Sequence, residues 1–241
     1  MSQIISTPSQ EVVTRPGEVD AFLRRARAER SVFSPTVAAE PRGKRAAEVV
    51  LVVTTMPVWL TVLGLLMLVV RLDSRGPAVF RQARLGRGGT TFTLYKLRSM
   101  VIDADDVLAD HLGECEARLA EWHRTAKLRD DPRLTRLGGW LRRSSLDELP
   151  QLFNVLRGDM SLIGPRPIRA AERKLYGPVF AGYDRVRPGL SGLWQVSGRN
   201  DLTYAQRVAL DRRYLATRSW WNELKIAART VGAVVSRRGA Y

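Results

Sequence analysis

Cysteine and histidine are almost absent from this sequence: Cys115, His111 and His123 are the whole supply. A single cysteine excludes an intrachain disulfide and fits a reducing, cytosolic setting. Three such residues also argue against a soft-metal site of the His/Cys type. Acids are scarce too, since 24 Asp and Glu stand against 39 Lys and Arg and leave a net charge of +15. An excess of that size implies polyanionic partners, whether nucleic acid, anionic lipid headgroups or phosphorylated substrates. No P-loop occurs, and Leu85-Gly86-Arg87-Gly88-Gly89 lacks the spacing of a dinucleotide fingerprint and reads as a turn. Nucleic-acid binding would call for basic residues interleaved with exposed aromatics or a recognisable module, and neither is present.

What is present begins with an uneven distribution of apolar residues. Residues 1–43 are poor in core formers, carry Pro8, Pro16, Pro35 and Pro41, and read as a disordered basic lead with a short helix around Ala21–Arg30. The apolar run starts only at Ala46 and no cleavage-type exit follows it, so a secretory signal is not expected. Ala46–Val70 holds 25 residues with Glu48 as the one charge, which is membrane-segment length. Pro57 near its middle removes a backbone hydrogen bond, and basic residues flank both ends: Arg42, Lys44 and Arg45 before it, Arg71, Arg75, Arg81 and Arg84 after it. Arms of roughly 11 and 14 residues reach roughly 16 and 21 Å, enough to enter one leaflet and return. A plain spanning helix is the alternative.

Further on, Ala78–Ala83 and Thr91–Leu97 read as paired strands around the Gly86–Gly89 turn. Lys96 and Arg98 lie two apart, which in extended chain puts them on one face; a charged, protected edge strand is the plain alternative. Asp103–Ala126 reads as one amphipathic helix opening on acids. A helix is expected from about Leu202 to Thr217, and another from Trp220 to about Val235. The last has tryptophans and basic residues suited to a headgroup layer, while packing on the core is equally open. Lys and Arg close to an anionic lipid surface would account for much of the charge.

The densest chemistry lies in Arg142–Pro167. Ser145 and Glu148 have the spacing of a capping box, although Pro150 complicates the start of the helix. Asp147 is then expected at an amino-terminal helix end, where anions and phosphates are favoured. By itself an Asp-Glu pair at a helix start is most often a solvated cap. With Arg142, Arg143 and Arg166 beside it, the pair also suits phosphate chemistry: one acid attacks phosphorus, both hold a hard cation such as Mg²⁺, and arginine forks clamp phosphate oxygens.

The run Ser145–Pro167, S-L-D-E-L-P-Q-L-F-N-V-L-R-G-D-M-S-L-I-G-P-R-P, followed by R-P-G-L-S-G-L-W-Q-V-S-G-R-N at Arg187–Asn200, resembles the bacterial sugar transferases, the monotopic phosphoglycosyl transferases. The likeness runs from about residue 44 to the end and includes Lys96-Leu97-Arg98-Ser99-Met100. It implies an α+β monotopic membrane protein, with a re-entrant helix-break-helix (residues 44–72) and a small cytosolic catalytic domain (residues 73–241) with interfacial amphipathic helices. The setting it implies is the cytosolic face of the bacterial inner membrane. The family's break is typically Ser-Pro, whereas Thr54-Thr55-Met56-Pro57 stands here, leaving a threonine hydroxyl to bond the freed carbonyls.

The implied reaction moves a sugar 1-phosphate from a UDP-sugar, galactose or glucose in type, to undecaprenyl phosphate with loss of UMP, as the first membrane step of exopolysaccharide synthesis. Asp147 is implied as the covalent nucleophile. Glu148, with Asp147, is implied to hold Mg²⁺ and to assist proton removal. Lys96, Arg98, Arg142, Arg166 and Arg199 are implied as phosphate or substrate contacts. Ser219-Trp220-Trp221-Asn222-Glu223-Leu224-Lys225-Ile226 carries glutamate at Glu223 where the family has aspartate, which puts a substrate contact there in question. Anionic lipid and a homodimer through the soluble domain complete the expected partners, with no nucleic acid. A membrane-tethered basic binding protein without catalysis is the alternative function.

Overall fold

The apolar run folds as two helices, α1 (Lys44–Thr54) and α2 (Met56–Asp73), that meet at Thr55. The computed structural model describes residues 37–125, 128, 130–198 and 202–236, so the expected helix at 21–30 lies outside the described residues. Pro57 falls in the first turn of α2, where a missing N–H is tolerated, and not inside a helix as its position in the run had suggested. The carbonyls freed at the break are taken locally. The Thr55 hydroxyl donates to Leu51 O at 2.7 Å, the Thr54 hydroxyl to Val50 O at 2.8 Å, and the Trp59 indole to Val52 O at 2.9 Å. The threonines thus play the part expected of them.

Both ends of this helix pair are tied to the same body. At the start, Lys44 Nζ donates to Ile163 O at 2.7 Å and meets Glu223 Oε2 at 2.9 Å. Arg45 bonds Val155 O at 2.6 Å, and Glu48 accepts from Leu162 N at 3.0 Å and from the Ser161 hydroxyl. At the far end, Arg98 Nη2 donates to Ser74 O at 2.6 Å and Val70 O at 3.4 Å, closing the carboxyl end of α2. Residues ahead of α1, assigned to the lead on sequence grounds, join the body as well: Ala38 N bonds Leu215 O at 2.9 Å and Glu40 reaches Arg218 at 3.7 Å.

One face of the pair enters the core, where Val52, Trp59, Leu63 and Val70 pack with Leu94, Leu97, Leu141 and Val155. The rest is exposed and apolar, with Val50, Val58, Leu65, Leu68 and Leu72 all more than half accessible. By length and composition α2 is apolar enough to cross a membrane.

Two small sheets sit among the helices, giving the mixed α and β fold expected. β1 (Val79–Leu85) and β2 (Thr91–Leu97) pair antiparallel with Phe80 opposite Lys96. Gly88 and Gly89 supply the positive φ angles, 72° and 67°, that their connecting turn requires. The expected single helix at 103–126 is instead α3 (Ala104–Gly113) and α4 (Glu116–Thr125). Gly113 is a weak helix former, and the Cys115 carbonyl accepts from Arg118 N and Leu119 N to start a new helix. Backbone N–H groups of Arg118 and Ala117 also hold the Cys115 thiol below its ordinary pKa, as expected at a helix amino end.

α5 (Arg136–Ser144) and α6 (Gln151–Arg157) lead to β3 (Ser161–Ile163), which pairs in parallel with β4 (Gly189–Ser191). Short helices α7 (Arg173–Tyr176) and α8 (Phe180–Tyr183) lie between these strands in the chain. α9 (Tyr204–Ala216) opens with a Thr203/Gln206 capping box and precedes α10 (Trp220–Ser236).

α10 packs one face on the body and leaves the other exposed. Glu223 and Ile226 are buried and Thr230 bonds Ser191, whereas Trp221, Leu224 and Val231 on the other side are exposed, with Lys225 over the Trp221 ring. The Lys44–Glu223 pair, joined by the Tyr214 hydroxyl at 2.8 Å from Glu223, bolts α10 to α1. Removing one partner of so buried a pair costs about 3–5 kcal/mol, because the other charge is left unmatched.

Candidate active site

Asp147 and Glu148 sit in a one-turn 3₁₀ helix, Leu146–Glu148, between α5 and α6. The expected capping box does not form. Ser145 adopts a left-handed conformation (φ 59°) as the carboxyl cap of α5, its side chain caps nothing, and α6 begins only at Gln151 behind Pro150. A left-handed residue reverses the chain sharply, and this turn, not the end of a helix, presents the two acids.

Several contacts fix that turn. Gly138 on α5 lets the helix lie against the backbone of Ser99, since a Cβ there would come within 1.9 Å of Ser99 O. Asn154 on α6, fully buried, accepts from Tyr95 N at 3.2 Å and donates to Thr93 O at 2.7 Å, clamping α6 to β2. Lys96 on β2 is thereby set against the turn, with Nζ 2.6 Å from Glu148 Oε1 and 3.5 Å from Asp147 Oδ2. Arg142 at the end of α5 donates from Nε to the Ser99 hydroxyl at 2.9 Å and adds its charge beside Asp147.

The electrostatics follow from that geometry. Asp147 is 6 % exposed, and burial, reinforced by Glu148, raises its pKa against the opposing pull of Lys96 and Arg142. Burial works against the charge of Lys96, but Glu148 and Asp147 outweigh it and raise the lysine's pKa, so the ammonium stays charged. A desolvated carboxylate of raised basicity, steadied by two cations, is a competent nucleophile toward phosphorus. Two adjacent acids also suit Mg²⁺, which keeps part of its water and takes further oxygens from substrate phosphates. The Lys96 ammonium shows that positive charge is accommodated between them. No group of three or more His, Cys, Asp or Glu residues able to hold a metal occurs among the described residues, and Asp147 and Glu148 are the adjacent pair that would hold one here.

These residues open into a cleft of about 2220 Å³, lined also by Arg166, Trp194 and Gln195, and by Met67, Leu68 and Arg71 of the apolar α2. Arg166 follows β3 in the Gly164-Pro165-Arg166-Pro167 turn. Gly164 and Gly189 approach so closely that a Cβ on Gly189 would lie 2.0 Å from Gly164 N, which sets this turn against β4.

Of two further expected residues, one borders the cleft and one does not. Arg98 is buried and committed through Nη2 to the end of α2, although its side chain also borders the cleft. Glu223 is buried with Lys44 and Tyr214 and does not line the cleft. Arg199 lies outside the described residues. Asn154, Arg84, Arg207 and Trp194 were not singled out from sequence, where nothing separates a buried Asn or Arg from a surface one.

Fold and site together define an α+β protein with a paired-carboxylate, arginine-rich cleft beside an exposed apolar helix pair. The chain belongs to the bacterial sugar transferase family, which it matches over residues 39–237. It is 48 % identical over 166 residues to the undecaprenyl-phosphate galactose phosphotransferase of Salmonella typhimurium, covering 69 % of this chain and 35 % of that one. It is 41 % identical over 215 residues to the UDP-glucose:undecaprenyl-phosphate glucose-1-phosphate transferase of Caulobacter vibrioides (86 % and 74 % covered). It is 40 % identical over 223 residues to the exopolysaccharide production protein ExoY of Rhizobium meliloti (89 % and 99 %). Against several longer relatives the chain spans 35 to 42 % of their length.

Proposed function

We propose that this protein transfers a sugar 1-phosphate from a UDP-sugar to undecaprenyl phosphate at the cytosolic membrane face, as an opening step of exopolysaccharide synthesis. The observation that carries the reading is the shared cleft: Asp147, Glu148, Lys96 and Arg166 line it together with Met67 and Leu68 of the apolar α2. A donor of high charge and an acceptor with a lipid tail both find suitable walls there. The names of the relatives, which specify UDP-glucose and undecaprenyl phosphate, support the same assignment.

In the proposed reaction an Asp147 carboxylate oxygen attacks the β-phosphorus of the donor. The bond from that phosphorus to the bridging oxygen breaks, UMP leaves with the oxygen, and an acyl phosphate holds the sugar phosphate. An oxygen of the lipid phosphate then attacks the same phosphorus, freeing Asp147 and yielding the lipid diphosphosugar. Lys96, Arg142 and Arg166 neutralise and orient the phosphates, which is the larger part of such catalysis. Mg²⁺, when held by Asp147 and Glu148, supplies further charge neutralisation on the donor. Incubation with UDP-sugars one at a time plus undecaprenyl phosphate should release UMP with UDP-galactose or UDP-glucose. Silence across the whole panel would reject the reading.

The helix pair is proposed to dip into one leaflet and return. Support comes from its two ends, at Lys44 and Val70–Ser74, which are hydrogen-bonded to one body. In a Cys115→Ser background, thiol labels at Arg42→Cys and Arg75→Cys should both react from the cytosolic side only. Labelling from opposite sides would make α1–α2 a spanning segment.

A further inference from the structure

Away from the Lys96–Asp147–Glu148 cluster, the same cleft holds a second concentration of charge. Arg84, at the end of β1, and Arg166 line it beside Trp194. The Arg166 guanidinium lies 5.0 Å over the Trp194 ring and that of Arg207, from α9, lies 5.7 Å from it. Arg207 is 7 % exposed and Trp194 8 %.

The acids at hand do not match these cations. Glu172 is shared, 3.4 Å from Arg84 and 3.4 Å from Arg169, and the other partners of Arg84 are neutral, Pro167 O at 3.1 Å and Gln82 Oε1. Asp211 has its Oδ2 taken by the Tyr176 hydroxyl at 2.6 Å and the Arg166 N–H at 3.2 Å, and burial raises its pKa to about 7. The cations act on one another: burial first, then Arg166, lowers the pKa of Arg84 to about 10 and lowers that of Arg207. Among the described residues Arg84 Nε, Arg166 Nε, Arg207 Nε and Trp194 Nε1 are buried donors without a partner. Buried donors and charges are ordinarily matched, and here positive charge exceeds the acids beside it, with Arg84 and Arg166 on the cleft wall and Arg207 against Trp194 but not itself lining the cleft. Trp194 keeps the cations from separating, since an indole face attracts a guanidinium.

We propose that Arg84 and Arg166 on the cleft wall, backed by Arg207 on the Trp194 ring, form a second phosphate subsite of the cleft, which takes a phosphate group other than the one attacked at Asp147. The proposal rests on the reading that the cleft handles two phosphorylated substrates, and it adds Arg84 and Trp194 to the binding surface and Arg207 as the charge against that ring. Guanidinium forks donate two N–H groups to neighbouring oxygens, so two or three of them fit a tetrahedral phosphate. Two groups qualify chemically, the α-phosphate of the donor nucleotide and the phosphate of the lipid acceptor.

The test reads binding, not turnover. Titration calorimetry of the full chain in detergent, with UMP and with farnesyl phosphate separately, compares wild type with Arg84→Gln, Arg207→Gln and Arg118→Gln, the last an arginine paired with Glu114 away from the cleft. Either cluster variant is expected to weaken at least one ligand about tenfold or more, with partial recovery in the matching lysine variant, while Arg118→Gln keeps both ligands. Loss confined to UMP assigns the subsite to the donor, loss confined to farnesyl phosphate assigns it to the acceptor, and equal loss assigns it to a position both visit. Folded Arg84→Gln and Arg207→Gln proteins that bind both ligands like wild type overturn the proposal. A glutamine variant that does not fold, judged by its melting curve, is replaced by Trp194→Phe, which carries the same expectation and the same overturning result. Wild-type binding that depends on these arginines, in a protein inert toward every UDP-sugar, would instead sink the proposed function and leave the subsite standing.

Discussion

Asp147→Asn is expected to abolish both turnover and a covalent adduct. Offered UDP-sugar without lipid acceptor, the wild-type enzyme should release about one equivalent of UMP and gain the mass of one sugar phosphate. An acyl phosphate is cleaved by hydroxylamine, and the modification should map to the peptide holding Leu146-Asp147-Glu148. Asparagine keeps the size of the side chain and removes the oxygen charge that attacks, so the rate should fall on the order of 10⁴-fold or more, as when a covalent nucleophile is lost. The fold should survive, since Asp147 is 6 % exposed and burial already disfavours its charge. Charge favours two steps as well. Direct attack brings a lipid phosphate against an intact pyrophosphate, whereas the covalent route lets UMP leave first. A mass spectrum without adduct, from a preparation that turns over, would overturn the covalent step. Substantial turnover by Asp147→Asn at raised Mg²⁺ would reduce Asp147 to a cation holder.

Activity is expected to depend as sharply on a hard divalent cation and on Glu148. EDTA should bring turnover to background and Mg²⁺ should restore it, because the only acidic donors brought together in the cluster are the Asp147 and Glu148 carboxylates. Glu148→Gln keeps the shape and loses the charge. A loss on the order of 10²-fold or more is expected, the scale associated with removing a general acid–base or charge-stabilising group. Glu148 is about a quarter exposed at its side chain, so the melting temperature should move little. Full activity in chelator would remove the cation from the mechanism. A normal rate for Glu148→Gln would leave Lys96, 2.6 Å from that acid, as a mere surface ion pair.

Much of this site was legible in the chain itself. The Asp147-Glu148 pair, Lys96, Arg142 and Arg166 lie inside the runs that carry the family resemblance, and the structure lines one cleft with them. The β1–β2 hairpin announced itself through Gly88 and Gly89, and α9 and α10 through helical periodicity. Short-range signals misled where two of them competed. Ser145 and Glu148 satisfied the spacing of a capping box, but Ser145 closes α5 in a left-handed conformation, and the 3₁₀ turn it creates holds the acids. Gly113 and Cys115 likewise divided a helix whose amphipathic pattern ran unbroken.

The sequence by itself determined that an apolar run broken near Pro57 would accompany a basic α+β body, because periodicity, turn residues and charge count act within a few positions of the chain. Only the tertiary structure decided what each buried charge does. Lys44 and Glu48 look like ordinary membrane flanks, yet they bond Ile163 O and Leu162 N from 119 and 114 positions away. Arg98 borders the cleft but also closes the end of α2, and Glu223, whose substrate contact the sequence already put in question, neutralises Lys44. Arg84, marked in sequence only as a basic flank, lines the cleft with Arg166, and Arg207, which no local pattern marks, shares the Trp194 ring with it. A buried charge must be matched, and its match is supplied by chain that is remote in sequence, so the role of such a residue is settled only when the fold brings the two together.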